Sequence, residues 1–298
     1  MQVLISGASG LIGSALARAL RASGDDPTAL VRRPPQEGEL QWNPAEPFDS
    51  SKLAGYEAVV HLAGKNIAGY WTARFKQEVR DSRIQGTQVL ANAAAESHRA
   101  GGQPRVFISA SAIGYYGDRG DEVLTEDSSP GRGFLADVSR QWESATNAAR
   151  DASVRVVNLR IGVVLARGGG ALQSMLLPFR LGLGGRVGNG HQYWSWVSLD
   201  DVVGITLFAL QSEELRGPVN VVSPEPCRNA EFVRALGRQL HRPTILPLPA
   251  FAVRTFLGEM GEAALLASTR VVPAKLNAVG YQFRHPSLQD ALRAAGHK

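Results

Sequence analysis

Gly7-Ala8-Ser9-Gly10-Leu11-Ile12-Gly13 is the segment of this sequence best suited to chemistry. Its G-x-x-G-x-x-G spacing is a relative of the dinucleotide fingerprint. The first glycine permits a tight turn, the second lets backbone N–H groups approach a diphosphate, and the third lets helix and strand pack closely. A helix starting there adds the positive end of its dipole. Gly7, Ser9, Gly10, Leu11, Ile12 and Gly13 are therefore candidate contacts to a dinucleotide; a purely structural turn is the alternative. Gly182, Gly185 and Gly188 repeat the spacing, but no apolar strand precedes them, so they read as a loop.

The second candidate pair is Arg32-Arg33, just after the apolar run Pro27–Val31. An acidic residue there would accept from a ribose 2′-hydroxyl and select NAD. A guanidinium instead suits a 2′-phosphate, for about a ten- to hundredfold preference for NADP(H). Two solvated surface arginines are the alternative.

These residues need a scaffold, and the hydrophobic pattern supplies one. Predicted strands at Gln2–Ser6, Pro27–Val31, Leu40–Trp42, Ala58–Ala63, Arg105–Ser109, Val154–Leu159 and Pro218–Val222 alternate with predicted helices. The helices fall at Leu11–Ala22, Thr72–Arg99, Leu135–Arg150 and Leu199–Leu210. Such alternation implies βαβ units, a parallel sheet, and a ligand at the carboxyl ends of its strands. Glycine-rich turns flank a helix between Gly168 and Gly190, Pro243–Pro249 reads as a connector, and mostly helical stretches follow. The fold class expected is α/β: a Rossmann-type doubly wound parallel sheet with a small, mostly helical C-terminal substrate-side domain. Residues 1–222 form the dinucleotide-binding part and 243–298 the small domain, with segments between 165 and 242 contributing to the substrate side.

Composition narrows the function classes. The chain has 298 residues, 44% hydrophobic and 20% charged, too apolar for disorder. Its most apolar stretch, Val154 to Ala166, is broken by Arg155, Asn158 and Arg160, short of the roughly 18 apolar residues a span needs. No signal peptide is expected at the start. The single cysteine, Cys227, excludes an internal disulfide and suggests a reducing, cytoplasmic setting. Arginines account for most of the 32 basic residues behind the +5 net charge. They are scattered, so neither nucleic acid nor membrane is an expected partner. No zinc-ligand cluster, phosphate-binding loop or serine-hydrolase elbow is present, and no metal is expected.

Gly7–Gly13, His61-Leu62-Ala63-Gly64 and Ser109-Ala110-Ser111 near Tyr115-Tyr116-Gly117 resemble the extended short-chain dehydrogenases/reductases of the NAD-dependent epimerase/dehydratase type. Arg80-Asp81-Ser82-Arg83, Arg167–Gly170, Leu177–Gly185, His191–Trp196 and the stretch from Pro247 to Leu292 narrow the resemblance to the epimerase family protein branch, over nearly the whole chain. The resemblance implies bound NADP(H). It places Arg32 and Arg33 at the 2′-phosphate and Leu62, Ala63 and Gly64 along the cofactor, with Glu78, Arg83 and Val164 at cofactor-binding positions. Ser109 and Arg160, at strand ends, complete that set. His61 is expected to be a satisfied core histidine.

Short-chain reductases pair a Tyr with a Lys four residues on, so that both lie on one helix face. The Lys lowers the Tyr pKa and a Ser orients the substrate. None of the six tyrosines here has a lysine at that spacing. Aligned on Glu143, Leu135 takes the Tyr position and Ser139 the Lys position. Ser111 remains as a candidate catalytic residue, and Tyr115 as a substitute acid whose phenolate Arg119 could stabilise; both tyrosines shaping a pocket wall is the alternative. Tyr116, His191, Trp194 and Trp196 are candidates for the substrate side, against core packing for the tryptophans. The expected activity is NADP(H)-dependent oxidoreduction or epimerisation of an unidentified small carbonyl, hydroxyl or nucleotide-sugar substrate, by a monomer or homodimer. A non-catalytic NADP(H)-binding redox sensor or partner-binding protein is the competing reading.

Overall fold

The structure, a computed structural model, describes residues 1–296. The chain begins with β1 (Gln2–Ser6), α1 (Leu11–Ala22), β2 (Asp26–Val31), β3 (Glu39–Gln41), β4 (Ala58–His61), α2 (Ala73–Arg99) and β5 (Val106–Ala112). A short strand, β6 (Val123–Leu124), precedes α3 (Phe134–Ser144), α4 (Asn147–Asp151) and β7 (Arg155–Ile161). Then follow β8 (Val163–Leu165), α5 (Gly170–Arg180), β9 (Tyr193–Trp194), β10 (Trp196–Ser198), α6 (Leu199–Gln211) and β11 (Gly217–Val221). The chain continues through β12 (Cys227–Arg228), α7 (Asn229–Leu240), α8 (Ala250–Gly261), β13 (Arg270–Val271), α9 (Ala274–Ala278) and α10 (Leu288–Ala295).

Seven strands form one parallel sheet in the order β11-β7-β5-β4-β1-β2-β3. The chain order reverses at β1, so the carboxyl ends of β1 and β4 open the crevice where such sheets bind ligands. Buried strands such as Ala58–His61 are apolar on both faces because helices cover both. One face packs Val3, Ile5, Val60 and Ile108 under α1 and α6. The other packs Leu4, Val59, Phe107 and Val156 under α2 and α4. Caps fix the starts of two covering helices: Thr72 Oγ1 accepts from Phe75 N before α2, and Ser198 Oγ accepts from Asp201 N before α6.

One expectation changes. The single predicted helix Leu135–Arg150 is broken between α3 and α4. Thr146 Oγ1 donates to Glu143 O at 2.7 Å and Ser144 Oγ donates to Arg140 O, bonds that compete with the helical ladder. The C-terminal elements pack with segments between 165 and 242. Val253, Ala291 and Leu292 share one core with Leu172, Phe179, Trp194, Trp196 and Phe232. β13 pairs with β6, which ties this second layer back to the loop after β5. Residues 297 and 298 of the expected small domain lie outside the described residues.

Candidate cofactor site and the adjoining polar network

The turn between β1 and α1 has the backbone that its glycines suggest. Gly7 sits at φ +73°, and a Cβ there would lie 2.9 Å from both Ala63 N and Leu62 C. A Cβ on Gly13 would lie 2.2 Å from Gly7 O. Neither position admits a side chain. Gly10 N donates to Gly7 O at 2.9 Å and closes the turn. Gly10 is the N-cap of α1; no side chain caps it, and the first turn carries no acidic residue. The first-turn N–H groups therefore face an open crevice with no side-chain acceptor, the arrangement an anion requires. Ser9 and Gly10 are exposed, and Leu11 and Ile12 are half-buried. Opposite them, Leu62 N donates to Ser6 O and Ala63 N to Ser6 Oγ, which brings Leu62, Ala63 and Gly64 to the same crevice.

The two arginines after β2 behave differently. Arg33 makes a fork with Glu39, 2.7 Å for each N–O pair, and also donates to Pro34 O. That fork holds the Glu39 carboxyl below its ordinary range. Arg32 is exposed and, among the described residues, pairs with no carboxylate. Arg32 is therefore the free guanidinium.

Glu78 and Arg83 also diverge. The Glu78 carboxylate takes Lys65 Nζ at 2.6 Å and Arg74 Nε at 3.0 Å, and these contacts lower its pKa. The Arg83 guanidinium is largely buried against Gly64 and over the Trp142 ring, 5.0 Å from the centroid. Its Nη1 donates to Lys65 O and Val79 O. Among the described residues no carboxylate pairs with it, and burial pulls its pKa down to about 10. A cation held beside the crevice without a counter-charge is a second feature that fits an anionic cofactor.

The carboxyl ends of β5 and β7 carry a network of another kind. Arg160 lies on β7 opposite Ser111 on β5. Its Nε and Nη2 grip Glu143 at 2.8 and 2.9 Å, and its Nη1 donates to Tyr116 Oη at 2.8 Å and to Glu126 O. Ser111 Oγ donates to Glu143 Oε1 at 2.7 Å. The Tyr115 ring covers the guanidinium at 3.6 Å, a cation–π contact. Tyr115 and Glu143 also line a cleft of about 210 Å3 at the break between α3 and α4.

The structure gives the remaining candidate residues varied surroundings. Every donor nitrogen of Arg160 is engaged inside the protein. Tyr116 is fully buried, bonded to Arg160 and Asn220, and burial pushes its pKa up to about 12, so it is not a substrate-side wall. The cation beside Tyr115 is Arg160; Arg119 instead grips Glu122. Trp194 and Trp196 are core residues, with Trp196 wholly inaccessible. His191 is exposed, and its carbonyl accepts from Arg228. Ser109 is buried, and its hydroxyl donates to Ala110 O. Val164 is half-buried in β8, packed against the core under α1. Leu135, at the position of the usual tyrosine, packs on Gly114, where a Cβ would lie 3.1 Å from Leu135 Cβ. His61 is in the core as expected; Ser6 Oγ meets its Nδ1 at 2.6 Å, but its Nε2 has no partner.

A model of the NAD dependent epimerase/dehydratase family matches residues 3–222. The chain belongs to this family. A second model, a domain of unknown function named DUF1731, matches residues 248–295. An epimerase family protein of Mycobacterium leprae is 47% identical over 98% of this chain and 95% of its own. The human epimerase family protein SDR39U1 is 38% identical over 98% of this chain and 99% of its own. A crystal structure of the human protein (isoform 2) with NADPH superposes with a TM-score of 0.90 at 36% identity, covering 99% of both chains. A nucleoside-diphosphate sugar epimerase from Corynebacterium glutamicum gives a TM-score of 0.82 at 36% identity, covering 99% of this chain and 58% of that one. UDP-glucuronic acid 4-epimerase from Bacillus cereus, at 18% identity, shares the fold.

Within this epimerase-family chain, two contributors were not singled out from sequence. Glu143 served only as an alignment anchor, and Lys65 only as one of five lysines. For Glu143 a signal existed. Arg160 lies near the end of a mostly buried strand, and a guanidinium buried there demands a carboxylate. Among the described residues, no helix is long and apolar enough to cross a membrane, and no group of His, Cys, Asp and Glu could hold a metal.

Proposed function

We propose that this chain is an NADP(H)-dependent oxidoreductase or epimerase acting on a small carbonyl, hydroxyl or nucleotide-sugar substrate. The observation that carries the reading is the uncapped cradle at Gly7–Gly13 with the unpaired Arg32 guanidinium near it. Gly7, Ser9, Gly10, Leu11, Ile12 and Gly13 would hold the diphosphate by backbone N–H groups and close approach. Arg32 would hold the 2′-phosphate, with Arg33 kept in place by Glu39. Leu62, Ala63, Gly64 and Val164 would line the remainder, and Arg83 would supply positive charge beside it. Bound NADP(H) supplies a hydride donor or acceptor. The human relative's crystal structure with NADPH supports the same choice of cofactor.

A non-catalytic NADP(H) sensor is the second reading, and a specific observation favours it. The Ser111 proton points at Glu143, the Tyr115 ring rests on Arg160, and Leu135 occupies the position of the usual acid. Under the enzymatic reading, Tyr115 is the remaining residue able to hold or give a proton.

Calorimetric titration with NADPH and NADH tests the cofactor choice. NADPH should bind about ten- to hundredfold more tightly. Arg32→Ala should erase most of that difference, and Arg33→Ala less, because Glu39 already occupies Arg33. Equal affinities in the unaltered protein would overturn the reading. A panel of carbonyl and nucleotide-sugar substrates then separates enzyme from sensor by turnover of NADPH.

A further inference from the structure

The second layer exposes an apolar face that the cofactor reading does not use. Leu177, Leu181 and Leu183 at the end of α5, Ile245 in the connector, and Phe251 and Phe256 on α8 are each between 58% and 78% exposed. Exposed large side chains gathered in this way mark an interaction surface. Hydrogen bonds hold the end of α5, the loop after it and the connector together. Leu248 N donates to Arg186 O, Gly188 N donates to Leu248 O, each at 2.8 Å, and Arg242 Nε donates to Arg180 O.

Arg180, Arg186 and Arg242 lie on the segments that carry these side chains. Arg180, Arg186 and Arg242 are exposed and, among the described residues, pair with no carboxylate. At the α8 edge, Glu259 is neutralised by Lys76 and Glu262 by Arg254.

The geometry points to a docking face for an anionic lipid bilayer, formed by the end of α5, the connector and α8. Protruding leucines and phenylalanines set among arginines suit the boundary between headgroups and acyl chains. The arginines suit the negative surface of anionic lipid. A second copy of the chain fits less well, because a two-fold contact brings two arginine-bearing faces together, like charge against like. No span is involved; the association is with the surface, and it is independent of the cofactor reading.

Flotation of the full-length protein with vesicles tests the proposal. Binding is expected to vesicles of equimolar phosphatidylglycerol and phosphatidylcholine, to weaken in high salt, and to be absent with phosphatidylcholine alone. Leu181→Ser with Phe256→Ser should lower binding at least about tenfold. Arg180→Gln and Arg186→Gln should each lower it by about fivefold. The urea midpoint should be unchanged in every variant. Equal binding to both vesicle types, or binding insensitive to these variants, overturns the proposal. So does a concentration-dependent dimer, seen by sedimentation velocity without vesicle binding and lost in the leucine–phenylalanine variant.

Discussion

The carboxyl ends of β1 and β4 and those of β5 and β7 belong to one sheet but use their polar groups in opposite ways. At β1 the first-turn N–H groups of α1 have no side-chain acceptor, and glycines keep side chains out. At β5 and β7 the Ser111 hydroxyl, the Glu143 carboxylate and the Arg160 guanidinium are committed to one another, under a tyrosine ring. Unspent donors can receive a ligand; a closed set of partners can only hold the protein together. The difference argues that dinucleotide binding is built into this chain more firmly than the usual proton transfer.

The largest test of this contrast is Glu143→Ala. Arg160 has only 3% of its side chain accessible, and removing its counter-ion should destabilise the fold by about 3–5 kcal/mol in urea titrations. Replacing both partners, Glu143→Leu with Arg160→Met, should recover most of that loss. A midpoint that stays put in Glu143→Ala would mean that the network is not structural.

Next in size is a pH effect at His61, at the carboxyl end of β4 in the first of these regions. Complete burial lowers its pKa to about 4 from 6.5. The unfolded chain then binds the proton more readily, so the contribution is present above pH 6.5 and is lost as pH falls toward 4. The full loss is about 3 kcal/mol. The stability slope across that window should flatten in His61→Asn; an unchanged slope would assign it to other groups.

Gly13→Ala probes the open region. A methyl 2.2 Å from Gly7 O forces the turn apart, and NADPH affinity should fall about a hundredfold. An unchanged affinity would separate the cradle from cofactor binding.

Much of the fold was legible because strong local signals agree. The apolar Gln2–Ser6 run, the glycine turn and the amphipathic Leu11–Ala22 each specify the same unit. Where the reading failed, non-local partners decided the outcome. Glu39 claims Arg33 from the next strand, β3, and Glu143 claims Arg160 from helix α3. Trp194 and Trp196, candidates for the substrate side, pack into the second core, because Leu172, Phe179 and Phe232 reach them from distant helices. The break after Ser144 depends on hydroxyl-to-carbonyl bonds that periodicity does not register.

Ser111→Ala is the smallest expected effect and the sharpest discriminator between the two regions. Its hydroxyl donates one bond to a carboxylate that Arg160 already holds at both oxygens, so its loss should cost about 1 kcal/mol of stability. NADPH affinity should not change, since the bond lies within the closed network. If instead stability is untouched while NADPH turnover on an identified substrate collapses, the hydroxyl must leave Glu143 when substrate binds. The contrast between an open and a closed region would then apply only to the unliganded protein.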